Sequence, residues 1–473
     1  MLKKVICQLS GEQFGELQHE LASNRGEKFS QLLNLYREGE EDDGEIKSKI
    51  GVNNTSFYTL KSRLSDKIQQ YLFRTASDNR AELLKNISSI PQLLYNTPRE
   101  TAIMLLEHLE LELKKNDMPG ELVSVYNALK KLHLHSENYY HYQQLYNKNV
   151  AYTLSLDKAD ELVSAFNREL GEYLLSHDAT KVDILKLYLK ELNNLGKLYD
   201  SHRLKVYRLI ASITYGLYVD KDIPETEETI EDLLKQFDAI TEEHPEDRNY
   251  KHLVLIRHFQ HFIYYHQLGL HKNGATSFEK VNANPEKFLL LAHTCPSSSF
   301  LIAKIERALA AAGANKVALP NEVVLFQVSP EDVFSTINCA MYGAAVAFHN
   351  GNFAESVSIL NNLINEVSFK NFPFAEFEVK LFLALSQLLC GKTEQAELTL
   401  RSVSRKLAST EFSKRFPATQ AFCRFLKIAL NDTSSQKGKK LQDAHSAFKL
   451  SNAGRESILT FLPLDATHLN KLI

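Results

Sequence analysis

The sequence predicts an all-α protein, and three observations carry that prediction. Apolar residues recur at spacings of three and four along almost the whole chain, which is the helical period, with no comparable run of strict alternation. Only 18 Gly and 12 Pro occur in 473 residues, too few for the many tight turns of a sheet-rich fold. Pro98, Pro119, Pro224, Pro245, Pro285, Pro320, Pro330, Pro373, Pro417 and Pro463 fall where helical runs should begin or end. A residue with fixed φ and no amide hydrogen is tolerated there and not in a helix interior.

Composition narrows the class. The length exceeds one ordinary core and suits several domains or one extended solenoid. A hydrophobic content of 44% with 24% charged residues fits a packed chain, and a formal net charge of −3 leaves electrostatic binding to local patches. The opening Met1 to Gly11 imitates a signal peptide, but Gln8 interrupts its apolar run and Glu12 and Glu16 follow, so the reading is cytoplasmic. No stretch of about 18 apolar residues predicts a membrane span. Cys7, Cys295, Cys339, Cys390 and Cys423 are odd in number, scattered and without a CxxC pair. They read as free thiols rather than as a disulfide framework or zinc site.

The amino-terminal unit is expected over residues 1–76. Lys28 to Arg37 sets Phe29, Leu32, Leu33 and Tyr36 on one helical face, and an acidic connector runs from Glu38 to Glu45. From Glu45 a short helix ends at Gly51, Val52 packs the turn, and Asn53 to Ser56 cap a second helix with Phe57, Leu60, Leu64 and Ile68 inside. This run resembles a DNA-binding helix-turn-helix. The resemblance implies that Thr55, Thr59 and Ser62, on the outer face, reach base edges, while Lys47, Lys61, Arg63 and Lys67 contact phosphates. Across residues 46–74 six basic side chains oppose Asp66 alone, an excess that can neutralise phosphates. A helical cap on the rest of the chain, or a protein-docking surface, are the other readings of this unit.

A second region is expected over 77–295, with stripes such as Ile103, Leu106, Leu109 and Leu113, and Ile184, Leu187, Leu192 and Leu195. His252, His258, His261, His266 and His271 invite a metal reading for His258 and His261, but their apolar neighbours favour structural histidines. His133, His135 and His141 with Tyr139, Tyr140, Tyr142 and Tyr146 read as packing, with a peptide groove as the minority reading. Loops are expected at Cys295 to Ser299 and Gly313 to Pro320.

The third region, 296–430, repeats itself. Residues 341–380 align with 381–420 at a shift of 40, which places Ala344 on Ala384, Phe348 on Leu388, Gly351 on Gly391, Ser356 on Ala396, Leu360 on Leu400 and Phe372 on Phe412. The pattern recurs at Leu268-Gly269-Leu270 with Phe278, and faintly at Ser136 to Tyr139 with Tyr146. Small residues belong where paired helices touch, and Gly belongs in the left-handed turn between them. This pattern resembles the tetratricopeptide repeat over roughly 341–410. The resemblance implies an irregular α-solenoid of antiparallel helix pairs whose inner face holds peptides or proteins. Asn431 to Gln442 is expected as a linker before a capping helix in 431–473.

No P-loop, GxSxG, HExxH or GxGxxG pattern occurs, so no enzyme, cofactor or metal is expected. The expected function is a protein- or peptide-binding scaffold, and the alternative is a DNA-binding regulator whose repeats act as sensor.

Overall fold

The structure is a computed structural model, and it describes residues 2–9, 11–23, 27–38, 42–76, 81–245, 247, 250–283, 285, 298–312, 332–409, 412, 415–432, 434–452, 457–462 and 472. Among them every regular element is a helix, so the all-α prediction holds. No helix is long and apolar enough to cross a membrane among the described residues. The chain divides into two compact units, Met1–Val150 and Ala151–Ile473.

The first unit holds two hydrophobic cores. One is built by α1 (Leu2–Gln8), α2 (Gly11–Ser23), α3 (Glu27–Arg37), α4 (Asp43–Ile50) and α5 (Asn54–Ala76). Arg37 ties α3 to α1 by donating to the carbonyls of Ile6 and Leu9 at 3.0 and 2.9 Å. The other core joins α6 (Ala81–Ser88), α7 (Ile90–Asn96), α8 (Arg99–Lys115), α9 (Pro119–Leu132) and the start of α10 (Asn138–Ser176). The α8 stripe Ile103, Leu106, Leu109 and Leu113 is buried as predicted. Tyr142 and His133 are buried and stacked with ring centres 5.2 Å apart, so packing accounts for the centre of the aromatic cluster. Tyr140 stays on the surface.

In the second unit the remainder of α10 packs with α11 (Ala179–Leu198), α12 (His202–Tyr218), α13 (Ile230–Glu243), α14 (Tyr250–Gln267) and α15 (His271–Asn282). The buried face of α11 is Leu185, Leu189 and Leu192. Leu187, expected in that stripe, is 53% exposed, because the face that meets its neighbours lies one residue further round the helix.

Next come α16 (Ser298–Ala312) and three helix pairs: α17 (Val333–His349) with α18 (Phe353–Glu366), α19 (Pro373–Leu389) with α20 (Thr393–Leu407), and α21 (Pro417–Asn431) with α22 (Lys437–Ser451). Pro373 and Pro417 stand in the first turns of their helices, where the missing N–H is no loss. The polar stretch from Asn431 is mostly helix: α22 begins at Lys437, and its Leu441 and Phe448 join the core that α21 also builds. Part of the expected linker is therefore the start of α22. Of the expected loops, Ser298 and Ser299 open α16, and the rest lie outside the described residues.

The repeat register is visible in the turns. Gly269, Gly351 and Gly391 have φ of 71°, 82° and 78°. In each turn the following residue donates back to the sixth-last carbonyl: Leu270 to Tyr265, Asn352 to Ala347 and Lys392 to Gln387, at 2.8 to 2.9 Å. That bond satisfies helix-end carbonyls and reverses the chain, and an L side chain resists the required φ. Ala344, Ala384, Ser356 and Ala396 are fully buried, as close contact between helices requires, and Ser356 meets Ser386 of the next pair at 3.1 Å. Phe348 meets Phe382 edge-on at 5.7 Å and welds one pair to the next.

Candidate functional site

The helix-turn-helix reading begins with α3, α4 and α5. Asp42 caps α4 by accepting from the Gly44 amide at 2.7 Å, and Asp43 and Glu45 sit in its first turn, where the helix dipole favours negative charge. Part of the expected acidic connector is thus the start of a helix, while residues 39–41 lie outside the described residues. Gly51 closes α4 at φ 67°, and Asn53 caps α5 by accepting from the Ser56 amide at 2.9 Å. Phe57, Leu64 and Ile68 are buried against Leu32, Leu33, Tyr36, Ile46 and Ile50.

The predicted contact residues separate into two groups. Thr55, Thr59, Ser62 and Arg63 are exposed on the outer face of α5, beside Tyr58. Lys47, Lys61 and Lys67 are half-buried and engaged within the unit. Lys47 lies over the Phe57 ring at 5.4 Å. Lys61 bridges to Asp43 at 3.2 Å and covers Phe57, and Lys67 lies over Phe29 at 5.6 Å. Three of the six basic side chains are therefore engaged within the unit, and Lys49, Arg63 and the short polar side chains are exposed on it.

The histidine-rich helix α14 finds partners that sequence proximity hid. His261 shares both oxygens of Asp238 from α13 at 3.0 Å, and His266 meets Glu306 from α16 at 3.0 Å. The Arg257 guanidinium sits 3.3 Å from the same Asp238. A fixed cation beside His261 opposes a second, metallic one. Burial, with Arg257 alongside, pulls His258 down to about 4, so it is a neutral core imidazole.

The inner face of the helix pairs carries the remaining chemistry. Along α19, Glu376, Lys380 and Gln387 turn toward α20: Lys406 pairs with Glu376, Lys380 donates to Ser402, and Thr399 donates to Gln387 at 3.1 Å. At about 100° per residue, Phe374, Glu378, Leu381 and Leu385 lie on the opposite side. In stacked helix pairs that side is the expected binding face, and here it is covered. Phe374 meets the His177 ring at 4.1 Å, and Arg415 donates to the carbonyl of His177. His177 is buried beside that guanidinium, and burial pulls its imidazole down to about 4.

The rest of the cover is the non-helical segment 457–462, which follows α22. The Leu459 amide donates to Glu378 Oε1 at 2.6 Å, and the Thr460 amide donates to the same carboxylate. Burial pushes the Glu378 carboxyl up to about 7, although both amides pull it down. Ile458, Leu459, Phe461 and Leu462 are all buried in the core shared with Leu381 and Leu385. Asn452 shapes the segment with its side-chain amide, donating to the Ile458 carbonyl at 3.0 Å and accepting from the Ile458 amide at 2.8 Å. Leu459 has φ 56°, a left-handed conformation that costs a non-glycine residue about 1–2 kcal/mol.

The chain matches no family model, no curated protein and no solved structure. Its function therefore has to be read from these faces. Sequence reasoning missed Glu378 and the segment 457–462 because no local pattern links residues 81 apart.

Proposed function

We propose that this chain is a non-enzymatic scaffold that binds short, turn-forming apolar segments of other proteins on the face of α19 that carries Glu378. One observation carries the reading: that face already holds a non-helical segment, gripping its backbone through Glu378, while its apolar side chains are buried in the core to which Leu381 and Leu385 belong. Capture of a peptide through its main-chain groups, with pockets for its side chains, is a recurrent mode of recognition. The three matching glycine turns and the 40-residue register support a tetratricopeptide-like arrangement of the helix pairs, the architecture the sequence resembles.

The test is an array of twelve-residue peptides carrying the spacing of Ile458, Leu459, Phe461 and Leu462, probed with the full chain and its Glu378→Ala variant. Patterned peptides are expected to be retained more than versions with serine at the four apolar positions, and the variant to lose that preference. Equal retention of patterned and serine peptides overturns the proposal.

A second reading is favoured by the exposure of Thr55, Thr59, Ser62 and Arg63 on α5, which leaves a polar helix face available to a major groove. In that reading the amino-terminal unit binds DNA and the helix pairs are its sensor. Binding of random duplex DNA that weakens with salt and is lost on Arg63→Glu supports it, and no binding at low salt removes it.

A further inference from the structure

We infer that residues 457–462 are an internal ligand that competes with an external one, so that partner binding and release of this segment are one exchange. The inference rests on the proposed reading of the α19 face and adds its regulation and the chemistry of its partner. Three observations point to exchange rather than to a permanent core element. The segment is short and non-helical in a helical unit, and it is joined to α19 by the backbone amides of Leu459 and Thr460 on Glu378, bonds that a peptide in the same turn could supply. Leu459 is held at φ 56°, a conformation its side chain disfavours. The segment closes its own turn, the Leu462 amide donating to the Leu459 carbonyl at 2.8 Å, and Asn452 at the end of α22 bonds Ile458 on both sides, so a peptide spanning these residues can form the same shape.

The partner chemistry follows from what is now buried. An aliphatic pair, a one-residue spacer, then an aromatic and an aliphatic residue match Ile458, Leu459, Thr460, Phe461 and Leu462, with no charge among them. The expected partner is thus an uncharged, turn-forming segment of another protein with this pattern. Because the internal copy is tethered, it acts at an effective concentration far above that of a free peptide, and the apparent affinity falls with the fraction of open groove.

The experiment uses full-length chains and a fluorescent peptide spanning residues 452–463, read by anisotropy. The chain with Phe461→Ala and Leu462→Ala, its own segment weakened, should bind the peptide at least about tenfold more tightly than the natural chain. Adding Glu378→Ala to that variant should abolish the gain. Equal affinity of the natural and weakened chains overturns the competition while leaving the peptide groove standing. No binding to either chain overturns the groove itself. Hydrogen exchange on the natural chain guards against a misfolded variant: saturating peptide should expose the Leu459 and Thr460 amides, and unchanged protection overturns the exchange.

Discussion

Replacing Glu378 by alanine should loosen one segment of the second unit without disturbing the helices beneath it. The carboxylate is the acceptor for two amides, that of Leu459 at 2.6 Å and that of Thr460. A buried donor left without a partner costs about 1–3 kcal/mol, and solvent entering the loosened face reduces the sum. A loss of about 2–4 kcal/mol in attachment corresponds to roughly 30- to 700-fold faster exchange of those amides. Hydrogen exchange followed by mass spectrometry, on peptides covering 457–462 and 373–389, reads both halves of the claim. Glu378→Gln keeps one acceptor oxygen and should fall between the natural chain and the alanine variant. If 457–462 keeps its protection in Glu378→Ala, the attachment lies in its apolar side chains alone and the reasoning about backbone capture fails.

Three further outcomes follow from the same packing. The folded His177 imidazole sits near 4 against an ordinary 6.5, so the unfolded chain takes the proton first. Stability from this group is present above pH 6.5 and declines by up to about 3 kcal/mol toward pH 4, and urea midpoints of His177→Asn should lack that share of the acid loss. Asparagine is chosen because it tolerates the left-handed φ of 51° at this position. Gly391→Ala should cost about 1–2 kcal/mol in urea unfolding, with Gly391→Asn costing less, since no atom crowds the site and φ alone resists the side chain. Phe382→Ala, which empties a fully buried position between two helix pairs, should cost about 3–5 kcal/mol by the same measurement, and a cost below 1 kcal/mol would contradict the packing described.

Features set by nearby residues were legible in the sequence. The glycine turns needed only local backbone geometry, so Gly269, Gly351 and Gly391 could be placed from a 40-residue register and one recurrent motif. The start of α5 was legible for the same reason, through Gly51 and Asn53. Features set by distant packing were not legible. Leu187 looks like core by spacing, and only the neighbours of α11 determine which face turns inward. His261 finds its carboxylate 23 residues away on α13, and Glu378 finds the Leu459 amide 81 residues away. The basic excess around residues 46–74 was countable, but counting charges could not reveal that Lys61 pairs with Asp43 or that Lys47 and Lys67 lie over rings.

The most direct test of the binding face is photocrosslinking. A 452–463 peptide with a diazirine-bearing leucine in place of Leu459 would be irradiated with the Phe461→Ala, Leu462→Ala chain, and the adducts mapped by mass spectrometry. Adducts are expected on α19, at or beside Phe374, Leu381 and Leu385, competed away by unlabelled peptide. Adducts confined to other helices, or scattered and insensitive to competitor, would contradict it.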